Sequence, residues 1–434
     1  MSENSALQEL VALSEIQRQF ALVRLAGTVH VVDRYALSAL NAKGNFQKFS
    51  PMKRSEAMLL IRRVLAERFP GSNPKEILQE FFDSPKTTCY LDVEVNPSVT
   101  SIDMLNLWVS PSIQPKPGKT KLIRDFLRNI ICGGNKKYYN YLMCYIAHAL
   151  RFPADKPGVM IILLGGQGVG KGTFGRILQA IWGTMYLQVH QINSIVGEFN
   201  AILERSYIVW LDEAIFDNNR SATNSLKSLV TESLIHVNEK NLPARQVRSF
   251  HRFFAASNAD FYKTTDRDDR RDFVLRVSDA RKGDHDYWKA LSDEIENGGI
   301  EALVHLLMTA DLSTFNVRNK PNTNELMRQK LKSLGAIEEW WRACLANREI
   351  FQGDGWPEFL STEDAVQLIA DYFGGKPSSK PSALEVANRL AQLCPSSHKK
   401  QMTRNGTRQR GFVLPEIEIA RSEFSSYMGG TIDW

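Results

Sequence analysis

Cysteine is scarce in this 434-residue chain. The five present, Cys89, Cys132, Cys144, Cys344 and Cys394, are scattered, odd in number and never spaced as a C-x-x-C pair. That excludes a disulfide framework and a cysteine zinc site, and the five read as buried thiols in a reducing compartment. Long apolar runs are also missing. The run at 159–164 falls far short of the roughly 20 residues that cross a bilayer, so no membrane partner is expected. The first residues lack the basic-then-apolar pattern of a signal peptide, and a cytoplasmic location, bacterial or host, is the expectation. Neither sign of charge dominates. Lys plus Arg number 54 against 48 for Asp plus Glu, a net of +6. Such a mild excess names no nucleic-acid partner, and only local clustering can. The apolar and charged fractions, 43% and 24%, are those of a globular protein. The length suggests roughly two to four domains.

The most informative stretch spans residues 159–174. An unbroken apolar run leads into Gly165, Gly166, Gln167, Gly168, Val169, Gly170, Lys171, Gly172 and Thr173. Apolar residues then recur at Phe174, Ile177, Leu178, Ile181 and Trp182, the spacing of one helix face. A strand, a glycine-rich loop and a helix in that order make a phosphate-binding loop. Its backbone N–H groups converge on phosphate oxygens, and the helix N-terminus adds partial positive charge. Lys171 can reach the terminal phosphates of a nucleoside triphosphate. The residue after Lys171, where a hydroxyl bound to Mg²⁺ is expected, is Gly172, so Thr173 becomes the candidate metal ligand. A Gly-Lys-Gly-Thr sequence also occurs in small nucleotide kinases, so the loop alone does not choose between a motor and a kinase.

Further along, an apolar run from Tyr207 ends in Asp212 and Glu213. At the carboxyl end of a parallel strand, Asp212 would hold Mg²⁺ and Glu213 would orient or deprotonate the attacking water. An ordinary strand followed by solvated acids is the competing reading. A third strand pattern, 251–258, closes on Asn258, whose amide can contact the attacking water or the terminal phosphate. The charged loop that follows carries Arg270 and Arg271, candidates to stabilise transition-state charge in a neighbouring subunit. The bland alternative is a solvated run of Asp–Arg pairs.

These motifs, in this order and within little more than a hundred residues, resemble a superfamily-three DNA helicase of the phage- and mobile-element primase-helicase type. The resemblance covers roughly residues 100–312. It implies an α/β fold with a P-loop NTPase (AAA+-like) core and a helical collar; beyond the stretch it covers, helices followed by a basic hairpin resemble a C-terminal winged-helix-like domain. The helicase resemblance also implies ATP and Mg²⁺ as cofactors, single-stranded and forked DNA as substrate, and a homo-oligomeric ring, expected to be a hexamer. A primase or polymerase would be a partner. The family's pore hairpin corresponds to 234–245, which makes Lys240 its lysine. A DNA-binding initiator or loader without unwinding activity stays open as the second class.

The rest of the chain is divided by pattern. Residues 1–110 form a β/α region of unknown role, 111–152 the collar, 153–315 the ATPase domain and 316–434 the C-terminal domain. In the first region a hairpin is expected at 20–32, a helix at 55–69 and a strand at 90–95. The collar predicts helices at 122–131 and 138–150. In the last region, one long helix is expected at 326–345 and shorter ones near Thr362 and Ser382. Asn405-Gly406 is a strong hairpin-turn signal. Lys399, Lys400, Arg404, Arg408 and Arg410 flank it and would face DNA phosphates, unless this is a solvated basic loop.

Overall fold

Three apolar runs in the middle of the chain lack polar alternation, as strands covered on both faces require. They become β1 (Met160–Leu164), β3 (Ile208–Asp212) and β4 (Arg252–Ser257), joined by β2 (Tyr186–Val189) and β5 (Asp272–Arg276). The sheet order is β5-β1-β4-β3-β2, and the β1–β4, β4–β3 and β3–β2 pairings are parallel. The computed structural model describes residues 3–25, 27–42, 49, 51–98, 100–213, 220–238, 244–260, 269–374, 380–404 and 407–434. The chain divides into two units, Met1–Asp260 with Leu275–Pro321, and Phe261–Val274 with Asn322–Trp434. Among the described residues no helix is long and apolar enough to cross a membrane.

In the first unit, the collar helix α1 (Lys136–Arg151) starts where the Asn135 side chain accepts hydrogen bonds from the Lys137 and Tyr138 N–H groups. Its buried face meets the sheet through Arg252, which is fully buried. The Arg252 guanidinium donates to the Tyr207 hydroxyl, to His148 Nδ1 (3.1 Å) and to the carbonyls of Phe152 (3.1 Å) and Asp155 (2.9 Å). The Tyr145 and Tyr207 rings each lie 5.6 Å from it. A buried cation is tolerated only with such a shell of acceptors and π faces. Helix α2 (Lys171–Trp182) buries Phe174, Ile177, Leu178, Ile181 and Trp182, the face its periodicity predicts. Helix α3 (His285–Glu294) follows β5.

Three elements of this unit differ from the sequence expectation in instructive ways. The predicted helix at 122–131 is α-helical only over Lys121–Asp125 and widens into a π-helix over Phe126–Ile131. The Cys132 N–H reaches back five residues to the Leu127 carbonyl. Apolar spacing alone does not separate the two windings. The predicted strand at 90–95 splits. Cys89–Tyr90 pairs in parallel with the hairpin strand Phe20–Leu25, while Asp92–Glu94 pairs with Met104–Asn106. Leu91 lies exposed between them. Residues 114–119, at the start of the expected collar, have no secondary structure but are held in place, with the Lys116 N–H on the Glu301 carbonyl. The hairpin of Phe20–Leu25 with Thr28–Asp33 and the helix Arg54–Arg68 form where predicted.

The second unit runs α4 (Asn324–Lys332), α5 (Ala336–Asn347), β6 (Phe359–Ser361), α6 (Thr362–Tyr372), α7 (Ala383–Leu393), β7 (His398–Arg404), β8 (Thr407–Val413) and α8 (Ile417–Met428). The single helix expected at 326–345 is therefore two. Ser333 ends the first, and Gly335 begins the second with extended backbone, where a Cβ would lie 2.7 Å from Glu338 Oε2. The Ser382 side chain caps α7 by accepting from the Glu385 N–H, the Ser-x-x-Glu arrangement of a capping box. The sheet order is β6-β8-β7. Trp341, Leu345, Ile369, Leu390, Phe412 and Phe424 form its core. Gly411 sits where β8 crosses β6, and any Cβ there would meet the Leu360 carbonyl at 2.1 Å.

Candidate functional site

Parallel strands that share a direction deliver their carboxyl ends to one edge, and that edge is where open α/β sheets bind ligands. Here the register places Leu164 beside Ser257 and Asp212 beside Ala256. The glycine-rich loop after β1, Asn258 after β4 and the acids ending β3 therefore emerge together. They line a cleft of about 310 Å³ with Gln167, Gly168, Gly170, Lys171, Gly172, Thr173, Asp212, Glu213, Asn258 and Trp288. Gly168 and Gly170 have φ of +80° and +104°, conformations that glycine adopts without a steric cost.

Lys171 is 8% exposed. Its ammonium donates to the carbonyls of Gly165 (2.6 Å) and Gly166 (2.7 Å) and to Asn258 Oδ1 (2.7 Å). The Asn258 amide in turn donates to Glu213 Oε1 at 2.5 Å. Lysine, amide and carboxylate thus form one hydrogen-bonded chain across the ends of β1, β4 and β3. Burial pulls the Lys171 pKa below its ordinary value, and the Glu213 and Asp212 carboxylates oppose that shift. Glu213 adopts a left-handed backbone, φ +53°, an unusual conformation for a non-glycine residue that is held by its N–H on the Ala256 carbonyl. Asp212 Oδ2 accepts from Gln188 Nε2 at 2.7 Å and lies 3.9 Å from His190 Nδ1. Burial, followed by the charge of Asp212, drives the Tyr186 hydroxyl pKa upward.

The half-buried Thr173 hydroxyl and the Asp212 carboxylate both line the cleft, and both are hard oxygen donors suited to Mg²⁺. No group of three or more His, Cys, Asp or Glu side chains that could hold a metal occurs among the described residues. Gly165, Gly166 and Val169 complete the loop. Val169 is buried, packing its apolar side chain under the turn.

The remaining predicted residues are not all gathered here. Arg270 is exposed and Arg271 half-buried at the entry to β5, where Asp269 Oδ1 accepts the Arg271 and Asp272 N–H groups. Strands Leu234–Val237 and Arg245–Arg248 pair antiparallel, as a hairpin requires. Lys240 between them lies outside the described residues. Lys399, Lys400, Arg408 and Arg410 are exposed on the β7–β8 ladder. Arg404 pairs with Thr407 through the backbone, and the Asn405-Gly406 turn lies outside the described residues. Sequence reasoning missed Trp288, Gln188 and His190. Only Gln188 left a signal, as the one amide in the otherwise apolar and aromatic run Tyr186–Val189.

An α/β unit with a parallel sheet, a glycine loop and paired acids at one edge is the class that this architecture defines. Residues 163–271 match a protein family described as one of unknown function (DUF5906). Over 198 residues the chain is 26% identical to the DNA primase-polymerase of Nitratiruptor phage NrS-1, covering 43% of this chain and 26% of the phage protein. The chain thus spans about a quarter of that relative's length. A solved apo structure of the NrS-1 C-terminal region superposes with a TM-score of 0.67 at 14% identity, covering 96% of this chain and 100% of that one. A second apo structure, the A form, gives 0.65 at 13%, covering 94% and 98%. At those identities the likeness establishes a shared fold.

Proposed function

We propose that the chain is an ATP-dependent DNA helicase of a phage or mobile element, with an AAA+-like core that works in a homo-oligomeric ring, expected to be a hexamer. The observation that carries this reading is the continuous link from Lys171 through Asn258 to Glu213 at the carboxyl edge of the sheet. Lys171 would hold the terminal phosphates, and a phosphate oxygen would compete with Asn258 for its ammonium. Asn258, freed or engaged, would report that change to Glu213. Glu213 would take the proton from the attacking water. Thr173 and Asp212 would hold Mg²⁺, which when bound neutralises charge on the triphosphate. Arg270 and Arg271 would act on a neighbouring subunit's nucleotide, and Lys240 would contact the translocating strand.

The order helix, strand, helix, helix, hairpin in the second unit, α5 to β8, is that of a winged helix. It supports a DNA-binding role for Lys399, Lys400, Arg404, Arg408 and Arg410. Similarity to a phage primase-polymerase supports a place in DNA replication, beside a primase or polymerase.

The test is strand displacement on a forked duplex, run beside ATP hydrolysis with and without single-stranded DNA. The helicase reading predicts DNA-stimulated hydrolysis with displacement, and loss of displacement in Lys240→Ala. Stimulated hydrolysis without displacement would instead identify an initiator or loader. Phosphoryl transfer to a nucleoside monophosphate would identify a kinase.

A further inference from the structure

One wall of the cleft has no part in the chemistry assigned to Lys171, Asp212, Glu213, Asn258 and Thr173. It is the indole of Trp288 on α3, half-buried and open to the same cleft. Several contacts fix its plane. The indole N–H donates to the Arg281 carbonyl at 2.8 Å. Phe126 packs edge-on at 5.8 Å and 77°, and Tyr287 does so at 5.2 Å and 79°. The helix bearing Trp288 is tied to the segment bearing Phe126, because the Glu294 carboxylate accepts the N–H groups of Leu122 (3.3 Å) and Ile123 (2.9 Å). The π-helix begins at Phe126 itself. The indole also presses on the glycine loop. A Cβ on Gly170 would fall 2.5 Å from Trp288 Cη2 and 2.9 Å from Phe126 Cε2.

A rigid aromatic plane beside a phosphate-binding loop has an evident use. The other side chains lining the cleft are polar or charged, so a bound nucleotide's flat apolar portion has one matching surface. We infer that Trp288 is the wall on which the nucleoside base stacks. This rests on the nucleotide reading above and adds base recognition to it. The indole's single polar group is already committed to Arg281, so the ring offers only a π face. A π face favours large bases over small ones and does not tell adenine from guanine, because that distinction needs hydrogen bonds. The site therefore favours purine nucleoside triphosphates as a class, by their larger stacking area.

The experiment measures equilibrium binding of ATP, GTP, CTP and inorganic tripolyphosphate, each with Mg²⁺, to the full chain and to Trp288→Ala and Trp288→Phe. Thermal melts check that the variants fold. The unsubstituted chain should bind ATP and GTP alike, and both more tightly than CTP or tripolyphosphate. Trp288→Ala should weaken ATP and GTP about tenfold, the size of one base–aromatic stack, and leave tripolyphosphate unchanged. Trp288→Phe should keep most of the affinity. Equal weakening of ATP and tripolyphosphate would overturn the inference, since Trp288 would then act only by supporting Gly170. No weakening of any ligand would overturn it by placing the base elsewhere. A marked preference for ATP over GTP would overturn the class selection. An unsubstituted chain that binds neither ATP nor tripolyphosphate would sink the nucleotide reading itself.

Discussion

The sheet-edge cleft and the β7–β8 hairpin both present positive charge, but in opposite ways. In the cleft a single ammonium, that of Lys171, is buried and aimed by three acceptors. On the hairpin, Lys399, Lys400, Arg408 and Arg410 stand exposed. An oriented charge in a desolvated site acts on one atom of a ligand, and its loss is felt in full. Solvated charges act as a sum on a polyanion and are screened by salt. The contrast separates a geometry suited to chemistry on one ligand from a surface suited to holding a polyanion.

The sharpest way to break that comparison is to remove the aimed charge. Lys171→Ala should lower ATP turnover by about 10²- to 10³-fold, the scale of a lost preorganised donor. A steady-state phosphate-release assay reads it. Turnover within a few-fold of the parent chain would mean that the cage of carbonyls around Lys171 is structural.

A smaller, graded effect is expected from the hairpin. Neutralising Lys399, Lys400, Arg408 and Arg410 together should flatten the salt dependence of single-strand binding by about 0.7 log units per lost phosphate contact. Basal ATP turnover should persist. A titration of DNA affinity against salt checks this, and an unchanged slope would make the hairpin a protein-contact surface or an idle loop. Between these cases lie Arg270 and Arg271. If they act across subunits, mixing Arg270→Ala/Arg271→Ala chains with Lys171→Ala chains should restore part of the turnover that each lacks alone. Absence of rescue, with assembly intact, would remove the cross-subunit role.

The least direct effect is on stability, through a buried polar chain at the amino end of β4, the end away from the cleft. Lys156 Nζ donates to Ser249 Oγ, the Ser249 hydroxyl donates to His251 Nδ1 (2.9 Å), and His251 Nε2–H donates to the Leu203 carbonyl (2.8 Å). That chain needs a neutral imidazole. Burial, with Lys156 adding repulsion, lowers the His251 pKa from 6.5 to about 4. The unfolded chain therefore takes up the proton first as pH falls. Stability should decline from about pH 6.5 to pH 4 and level off below that. Thermal melts across that range should show the fall, and His251→Asn should remove part of it. A flat profile would mean that His251 is already solvated.

Much of the site could be read from residue order. Strands covered on both faces announce themselves as apolar runs, and the loop, acids and asparagine sit at their ends, so Lys171, Asp212, Glu213 and Asn258 meet as the sequence implies. What could not be read depended on winding and on distant packing. The π-helix at Phe126–Ile131 has the same apolar spacing as an α-helix. The break at Gly335 hides within a continuous apolar stripe. Trp288 reaches the cleft from a helix 117 residues beyond Lys171, and no local pattern records that approach. The split of 90–95 into two strands depends on which partner each half finds, a long-range choice.

The proposed chemistry of the cleft depends on Glu213 acting as the base in nucleotide hydrolysis. It is tested most directly by Glu213→Gln, which keeps the shape and can still hydrogen-bond with Asn258 but cannot take a proton. The measurement counts ATP retained and phosphate released per chain, in Mg²⁺, for the parent and the variant. The parent chain should turn over ATP, and the variant should hold ATP intact with release reduced by about 10²-fold or more. Hydrolysis by the variant at the parent's rate would contradict that role for Glu213.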